Sequence, residues 1–314
     1  TRAAPVSPAV PARDPVDGRR PRATPPARVF AREMGVDLAE LSKELGGRLI
    51  TRKDIEASRA REDQEQRAGV SSIAAPAARQ EDGAIRIPVS GVRKRTAEAV
   101  ARSAFSAPHV TVFHTVDVTG TMELLESIRA DRALAEHRIG LLAVVARSVC
   151  IALRTVPEIN ASWDGAAGEI VRYRSVDLGI AAATERGLLV PNIRNAERLS
   201  LIGMAEELRA LTEAARSGKT TPASLVGGTF SITNIGVFGV DAGTPILPPG
   251  QAGILAVGAV RRLPWEFRGE IALRQVLTLS LSFDHRVVDG AEGARFLRAV
   301  ADLLESPERS TLRG

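Results

Sequence analysis

The sequence predicts an α+β fold, a two-layer arrangement with a mixed β-sheet and helices on one side, plus a small helical unit near the N-terminus. Three observations lead there. Strand-like runs follow one another in the later part of the chain, several without an intervening helix, which argues a mixed sheet. Residues 141–153 are almost all apolar and too many for a typical strand, so they read as a buried helix. Residues 26–58 form a compact helical pattern between two stretches of linker composition.

Residues 1–25 are rich in Pro, Ala and Arg without periodicity and read as a linker. Within 26–58, residues 27–34 are helix-like and Gly35 is a C-cap. Gly46-Gly47 then breaks the chain, and Thr51, three residues before Asp54, opens another short helix. Residues 59–84, charged at first and then Ala-rich around Pro76, form a second linker. From 85 to 314 the chain is one long domain. Residues 93–104 are predicted helical, and 111–118, 170–173, 178–183 and 188–190 are predicted strands. Ser200 caps a helix with Leu201, Ala205, Leu208 and Leu211 on one face. Strands at 230–235, 252–260 and 276–283 complete the set. In the last, Leu277, Leu279, Leu281 and Phe283 alternate with Thr278, Ser280 and Ser282, the pattern of a half-buried strand. Continued one step, that alternation puts His285 on the apolar side. After Gly290, Phe296, Leu297, Val300, Leu303 and Leu304 recur at helical spacing, and Pro307 marks the stop.

At 314 residues and 44% hydrophobic, the chain can bury one substantial core and a smaller one. Its single cysteine, Cys150, lies in the apolar helix and is expected to pack there, which suits a reducing compartment. No signal-peptide core follows Thr1, and no apolar run reaches the roughly 18 residues of a membrane span, so a cytoplasmic protein away from membranes is expected. The net charge is +5. Scattered arginines and only 4% aromatic residues leave no stacking platform for nucleic acid. A polyanionic small ligand, an acidic protein partner or an arginine-rich solvated surface each accounts for the charge.

Two segments carry chemistry. Asp284-His285-Arg286-Val287-Val288-Asp289-Gly290 places an imidazole at a strand end beside a carboxylate and a guanidinium, equipment for taking a proton from a weak nucleophile. Asp289 and Arg286 read either as groups orienting the ring or as a turn-stabilising ion pair. The second segment runs from Gly227 to Gly236. Its strand puts Phe230 and Ile232 on one face and Thr229, Ser231 and Thr233 on the other. Those hydroxyls are either sheet-compatible residues or a donor aimed at a developing oxyanion. The flanking glycines permit close approach by a ligand or another chain. His109, His114, His137 and His285 show no metal-ligand spacing, and His109 and His114 differ in strand parity. No phosphate loop, dinucleotide fingerprint or serine-hydrolase elbow is present.

Asp-His-Arg-x-x-Asp-Gly, together with Gly-Gly-Thr-Phe-Ser-Ile-Thr-Asn-Ile-Gly-Val-Phe-Gly, resembles the catalytic domain of dihydrolipoamide acyltransferases. Ser90 to Lys94, Pro108-His109 and Gly187 to Asn192 support the match over residues 85–314, and residues 26–58 resemble the family's peripheral subunit-binding domain. The resemblance implies a chloramphenicol-acetyltransferase-like catalytic domain moving an acyl group between dihydrolipoamide and coenzyme A. His285 is then the general base, Thr233 the oxyanion donor, and Asp289 a residue holding the geometry through an arginine, with Arg93 as candidate. Asn234 and Gly258 would line the coenzyme A channel and Arg129 would meet its phosphates. The family forms homotrimers, with histidine and hydroxyl from different chains, that build a cubic or dodecahedral core. The 2-oxo acid dehydrogenase component and dihydrolipoamide dehydrogenase are its partners, and Arg28, Arg32 and Arg48 match basic positions gripping a docked dehydrogenase. Residues 236–247 look most like branched-chain-type members; acetyl transfer in a pyruvate dehydrogenase complex and a non-catalytic docking scaffold are the alternatives. Three positions depart from the family: Thr233 where serine is usual, Ala183 where a polar residue is common, and a short loop at 41–47. None of Lys43, Lys53, Lys94 and Lys219 sits in an Asp-Lys-Ala hairpin, so the lipoyl group is expected on a domain outside this chain.

Overall fold

The structure, a computed structural model, describes residues 21–34, 36–58, 85–184 and 187–310, with the side chains of residues 32–34 excluded. Most of the expected linkers, the Gly35 cap and the side chain of Arg32 lie outside the described residues. The chain divides into two compact units, one up to Arg86 and one from Ile87.

The smaller unit holds helices α1 (Pro25–Met34), α2 (Leu38–Glu44) and α3 (residues 52–58). Asp37 caps α2 by accepting the Ala39 N–H at 2.7 Å. The turn before α3 uses left-handed Gly46 (φ 61°) and Gly47 (φ 78°). Ala27, Ala31, Leu41, Ile50 and Ile55 form the core. The Ile50 N–H donates to Arg22 O at 2.7 Å, so the ordered unit begins inside the stretch expected as linker. Asp54 accepts from Arg48 at 2.6 Å and from the Thr51 N–H at 2.8 Å and hydroxyl at 2.7 Å. Those hydrogen bonds, Arg48 first, hold its carboxyl well below the usual carboxylate range.

The larger unit is built on one mixed sheet. In chain order its elements are α4 (Gly91–Ser106), β1 (His109–Asp117), α5 (Thr119–Ala130), α6 (Leu141–Thr155), β2 (Ala161–Asp164), β3 (Glu169–Arg172), β4 (Leu178–Ile180), β5 (Ala182–Thr184), β6 (Gly187–Leu189), β7 (Asn192–Ile193), α7 (Leu201–Arg216), β8 (Phe230–Asn234), β9 (Gly253–Val257), β10 (Arg261–Phe267), β11 (Glu270–Asp284) and α8 (Gly290–Glu305). The sheet order is β1-β11-β9-β8-β4-β7, with β10 also on β11. The β4/β8 and β8/β9 pairs are parallel and the others antiparallel. A parallel pair needs a crossover, and α7 supplies it between β4 and β8. The mixed sheet with its helical layer is as the sequence predicts.

Helix α6 is buried along its length and packs with α7 and α8 over Leu279, Leu281 and Phe283 of β11. Gly293 lets α8 come close, since a Cβ there would meet the Phe283 ring at 2.6 Å. Elements α2, α5, β2, β7 and β10 fall outside those the pattern predicts, and α2 takes up residues 41–44 of the stretch expected as a loop. Strand β10 contains Pro264 and is mostly exposed, so little besides its pairing with β11 defines it.

Two expectations about β11 need correction. Its polar residues do not face water: Ser280 and Ser282 are as buried as Leu279 and Leu281, because the sheet is covered on both faces. Nor does the alternation continue to His285. The strand stops at Asp284, whose main-chain oxygen accepts the Val287 and Val288 N–H groups at 3.0 Å each, and the resulting turn leaves His285 exposed.

Cys150 is fully buried, and burial pushes its thiol up to about 12. We expect it to resist a maleimide reagent in the native protein and to label fully in denaturant. Rapid labelling of the folded chain, read by mass spectrometry, would contradict this packing.

Candidate active site

The sheet face away from α5–α8 carries hydroxyls, and nearly all are occupied. Thr111 bonds Ser282 at 2.8 Å, Thr115 bonds Thr278 at 3.0 Å, and Ser231 donates to Gln251 Oε1 at 2.7 Å. Thr229 accepts the Asp177 N–H at 3.1 Å, and Ser280 accepts the Gly243 N–H at 3.4 Å. The Thr233 hydroxyl makes no hydrogen bond among the described residues. Its side chain instead lines a cavity of about 1080 Å³, walled by α4, β6, the sheet and the loop at 240–249. The wall is chiefly apolar, with Val100, Leu188, Ile235 and Ile246 among it. Of the three hydroxyls at 229, 231 and 233, two hold structure and one is free to meet a ligand.

The glycines before β8 are explained by protein side chains. Gly227 (φ 78°) faces the Arg194 guanidinium at 2.9 Å from its would-be Cβ, and Gly228 faces Gln251 Nε2 at 2.7 Å. Arg194 in turn pairs with Asp177 at 2.5 Å.

His285 sits at the far end of the sheet. Its N–H donates to Pro108 O at 3.0 Å and its ring lies 5.8 Å from that of Phe283, while neither ring nitrogen is hydrogen-bonded among the described residues. Arg286 pairs with Asp284 at 2.6 Å and lies 5.2 Å over Trp163. The Asp284 hydrogen bond raises the Arg286 guanidinium further above its ordinary value. Of the two readings for Arg286 and Asp289, the ion pair between them does not form, because Arg286 pairs with Asp284 instead. Asp289 is the N-cap of α8: it accepts the Glu292 N–H at 2.8 Å while Glu292 accepts the Asp289 N–H at 2.9 Å. Arg93 is exposed on α4 and makes no ion pair with Asp289 within one chain among the described residues.

Thr233 and His285 do not meet within one chain. Thr233 is in register with Ala256, and Ala256 with Ser280, four residues before Asp284. At a rise of ~3.4 Å per residue this row lies ~14 Å short of the strand end, with two further inter-strand steps of ~4.8 Å across the sheet.

Asn234 points to the helix side, opposite Thr233, and accepts the Gly236 N–H at 3.1 Å. Gly258 is packed against backbone, where a Cβ would meet Thr278 O at 3.0 Å, and its N–H donates to that oxygen. Arg129 is exposed on the last turn of α5, and neither it nor Asn234, Gly258 or Arg93 lines the Thr233 cavity. Arg95 does, a residue the sequence analysis missed although it shares a helical face with Val92, Ala99 and Val100. In the smaller unit, Arg28 donates to the carbonyls of Pro21 (2.8 Å) and Ala23 (3.3 Å), and Arg48 is engaged by Asp54. No group of three or more His, Cys, Asp or Glu fit to hold a metal occurs among the described residues. No helix among them is long and apolar enough to cross a membrane.

The family model for the catalytic domain of 2-oxoacid dehydrogenases acyltransferases matches residues 81–312. The chain belongs to this family. The e3 binding domain model matches residues 21–56 of the same acyltransferase chain. Among relatives, the succinyltransferase component of the Haemophilus influenzae 2-oxoglutarate dehydrogenase complex is 37% identical over 85% of this chain and 66% of its own length. The lipoamide acyltransferase component of the Pseudomonas aeruginosa branched-chain alpha-keto acid dehydrogenase complex is 33% identical over 92% of this chain and 67% of its own. The chain thus spans about two thirds of the length of these relatives. The solved Azotobacter vinelandii dihydrolipoamide acetyltransferase superposes with a TM-score of 0.69 at 32% identity, covering 73% of this chain and 94% of that one. In that enzyme a serine, a histidine and an asparagine were studied for their role in the catalytic mechanism; serine precedes histidine by 52 positions and asparagine follows by four. The same separations relate Thr233, His285 and Asp289 here.

The Asp284 carboxylate is buried, so its pairing with Arg286 stabilises the turn that presents His285. We expect Arg286→Ala to cost about 1–3 kcal/mol by leaving that carboxylate short of donors, discounted because the guanidinium is partly exposed. An unchanged denaturant midpoint would remove this role.

Proposed function

We propose that the chain transfers an acyl group between dihydrolipoamide and coenzyme A in the core of a 2-oxo acid dehydrogenase complex. The observation that carries the reading is the pairing of a free hydroxyl, Thr233, with an exposed, unbonded imidazole, His285, at the sequence separations of the Azotobacter enzyme. A thiol with a pKa of ~8.5 is only slightly ionised at neutral pH. His285 takes its proton, contributing roughly 10²–10⁴-fold. The thiolate adds to the thioester carbonyl, and the Thr233 hydroxyl donates to the oxyanion that forms. Collapse breaks the old carbon–sulfur bond, and protonated His285 returns the proton to the departing thiolate. Asp289 contributes by fixing the start of α8, and so the turn that carries His285, without an arginine intermediary.

Because the two groups lie ~14 Å apart along the strands and two strands apart across the sheet, each site takes Thr233 from one copy and His285 from another. Such a head-to-tail contact closes into a ring, and a homotrimer is the ring we propose, assembled further into a cubic or dodecahedral core. Exposed Phe105 (92%), Val237 and Phe238 (70% each) supply apolar surface for a neighbouring copy. Asn234 and Arg129, on the helix side of the sheet, are assigned to coenzyme A, which places dihydrolipoamide on the cavity side. The smaller unit docks dihydrolipoamide dehydrogenase. Arg28 and Arg48 serve the unit's own fold as well, so substitutions there act on both.

For the acyl group we favour branched chains, supported by the chiefly apolar lining around Thr233. A methylene is worth about 1–3 kcal/mol of discrimination in such a pocket. Assayed with free dihydrolipoamide, isobutyryl- and isovaleryl-coenzyme A should exceed acetyl- and succinyl-coenzyme A in kcat/KM by about tenfold or more. A preference for acetyl or succinyl would overturn the branched-chain assignment.

The divided site makes a sharper prediction. His285→Ala and Thr233→Ala should each lose roughly 10²-fold or more in kcat while staying assembled. Dissociated and reassembled together in equal amounts, they should regain about a quarter of wild-type activity, since random neighbours restore that share of sites. No regain from a mixture shown to have exchanged subunits would refute the shared site.

A further inference from the structure

His109 has no part in the proposed chemistry, yet both of its ring nitrogens are engaged. The Leu247 N–H donates to Nε2 at 3.0 Å, so Nε2 carries no proton, and Nδ1–H must be the group donating to Ala107 O at 2.7 Å. The ring therefore bridges the end of α4 to the loop at 242–249. The Leu247 main chain is held on its other side as well, its carbonyl accepting the buried Ser103 hydroxyl at 2.6 Å. Its side chain is buried with Ala107 and Ile254.

At its start the loop is held by the Asp241–Arg261 pair at 2.7 Å, and beyond that Leu247 carries the clamp. Residues 241–248 have no regular secondary structure, and the Gly243 N–H bond to Ser280 is long at 3.4 Å. The loop is also a partition. Thr244, Pro245 and Ile246 line the cavity that holds Thr233 and also a second cavity of about 330 Å³ beside His109. Empty space on both sides leaves packing unable to fix the wall, so directed bonds must do so.

We infer that His109, through Leu247, is a positioning residue that sets the wall, and hence the acyl capacity, of the Thr233 cavity. What the wall bounds rests on the acyl-transfer reading; that His109 holds it rests on the geometry alone. Asn and Gln separate the two nitrogens: Gln can place an acceptor near Nε2, whereas Asn reaches only the Nδ1 position.

The experiment compares His109→Ala, His109→Asn and His109→Gln in the assembled protein. Isobutyryl-coenzyme A kinetics are one readout and amide exchange of peptides covering 242–249 is the other. Ala and Asn should raise KM about tenfold with kcat within about threefold, and should speed exchange at Leu247 about tenfold; Gln should restore both. Identical behaviour of Asn and Gln, or wild-type exchange and KM in Ala, would overturn the inference. If the wild-type protein transfers no acyl group, the functional reading fails, while amide exchange still decides the clamp.

Discussion

The register of β11 is the constraint on which the larger unit depends. This strand of 15 residues pairs with β1, β9 and β10, and through β9 it fixes the row in which Thr233 lies. Side chains alternate across a sheet, so a slip of one residue would turn Phe283 away from α8 and bring Ser282 onto the core. The glycine at 293 admits the Phe283 ring and no larger rearrangement, which ties α8 to the same register. One pairing pattern therefore sets the core, the start of α8 and the distance between the two proposed reacting groups.

Covering both faces of this sheet has an energetic consequence. A buried hydroxyl without a partner costs about 1–3 kcal/mol, so the hydroxyls of the second face are paired with one another, with Gln251 or with backbone. Thr233 departs from that rule at a cavity wall, where a ligand can complete the bond. The exception is informative because Ser231 on the same face of β8, and Thr229 just before it, obey the rule.

Much of this was legible in the sequence. The apolar run of α6, the Ser200 cap of α7 and the alternation in β8 and β11 encode local structure through period and capping, and the fold followed. The histidine motif stood out by residue type at a strand end, whereas Thr233 was one of three hydroxyls until the family resemblance singled it out. What periodicity could not convey was the coverage of the sheet's second face, which depends on α4 and the 240–249 loop packing from distant positions in the chain. The role of Asp289 was hidden for a similar reason. A carboxylate four residues after a histidine reads equally as an ion-pair partner or a helix cap, and only the helix geometry with Glu292 decides for the cap. His109 was invisible as a clamp because its partners, Ala107 and Leu247, offer backbone atoms, and backbone atoms leave no trace in residue types.

Within a single chain His285 is exposed, and its ring nitrogens have no hydrogen-bond partner among the described residues. Water competes for those nitrogens and weakens the electrostatic stabilisation a hydroxyl can give an oxyanion, because both act more strongly where solvent is excluded. In the proposed mechanism an isolated chain is therefore a poor catalyst. Association would change three things together: it brings a Thr233 within reach, removes water from the imidazole and covers the exposed phenylalanines. In the proposed mechanism catalysis and assembly thus draw on the same surface, and the register that keeps Thr233 and His285 apart in one chain is the reason a neighbouring chain is invoked.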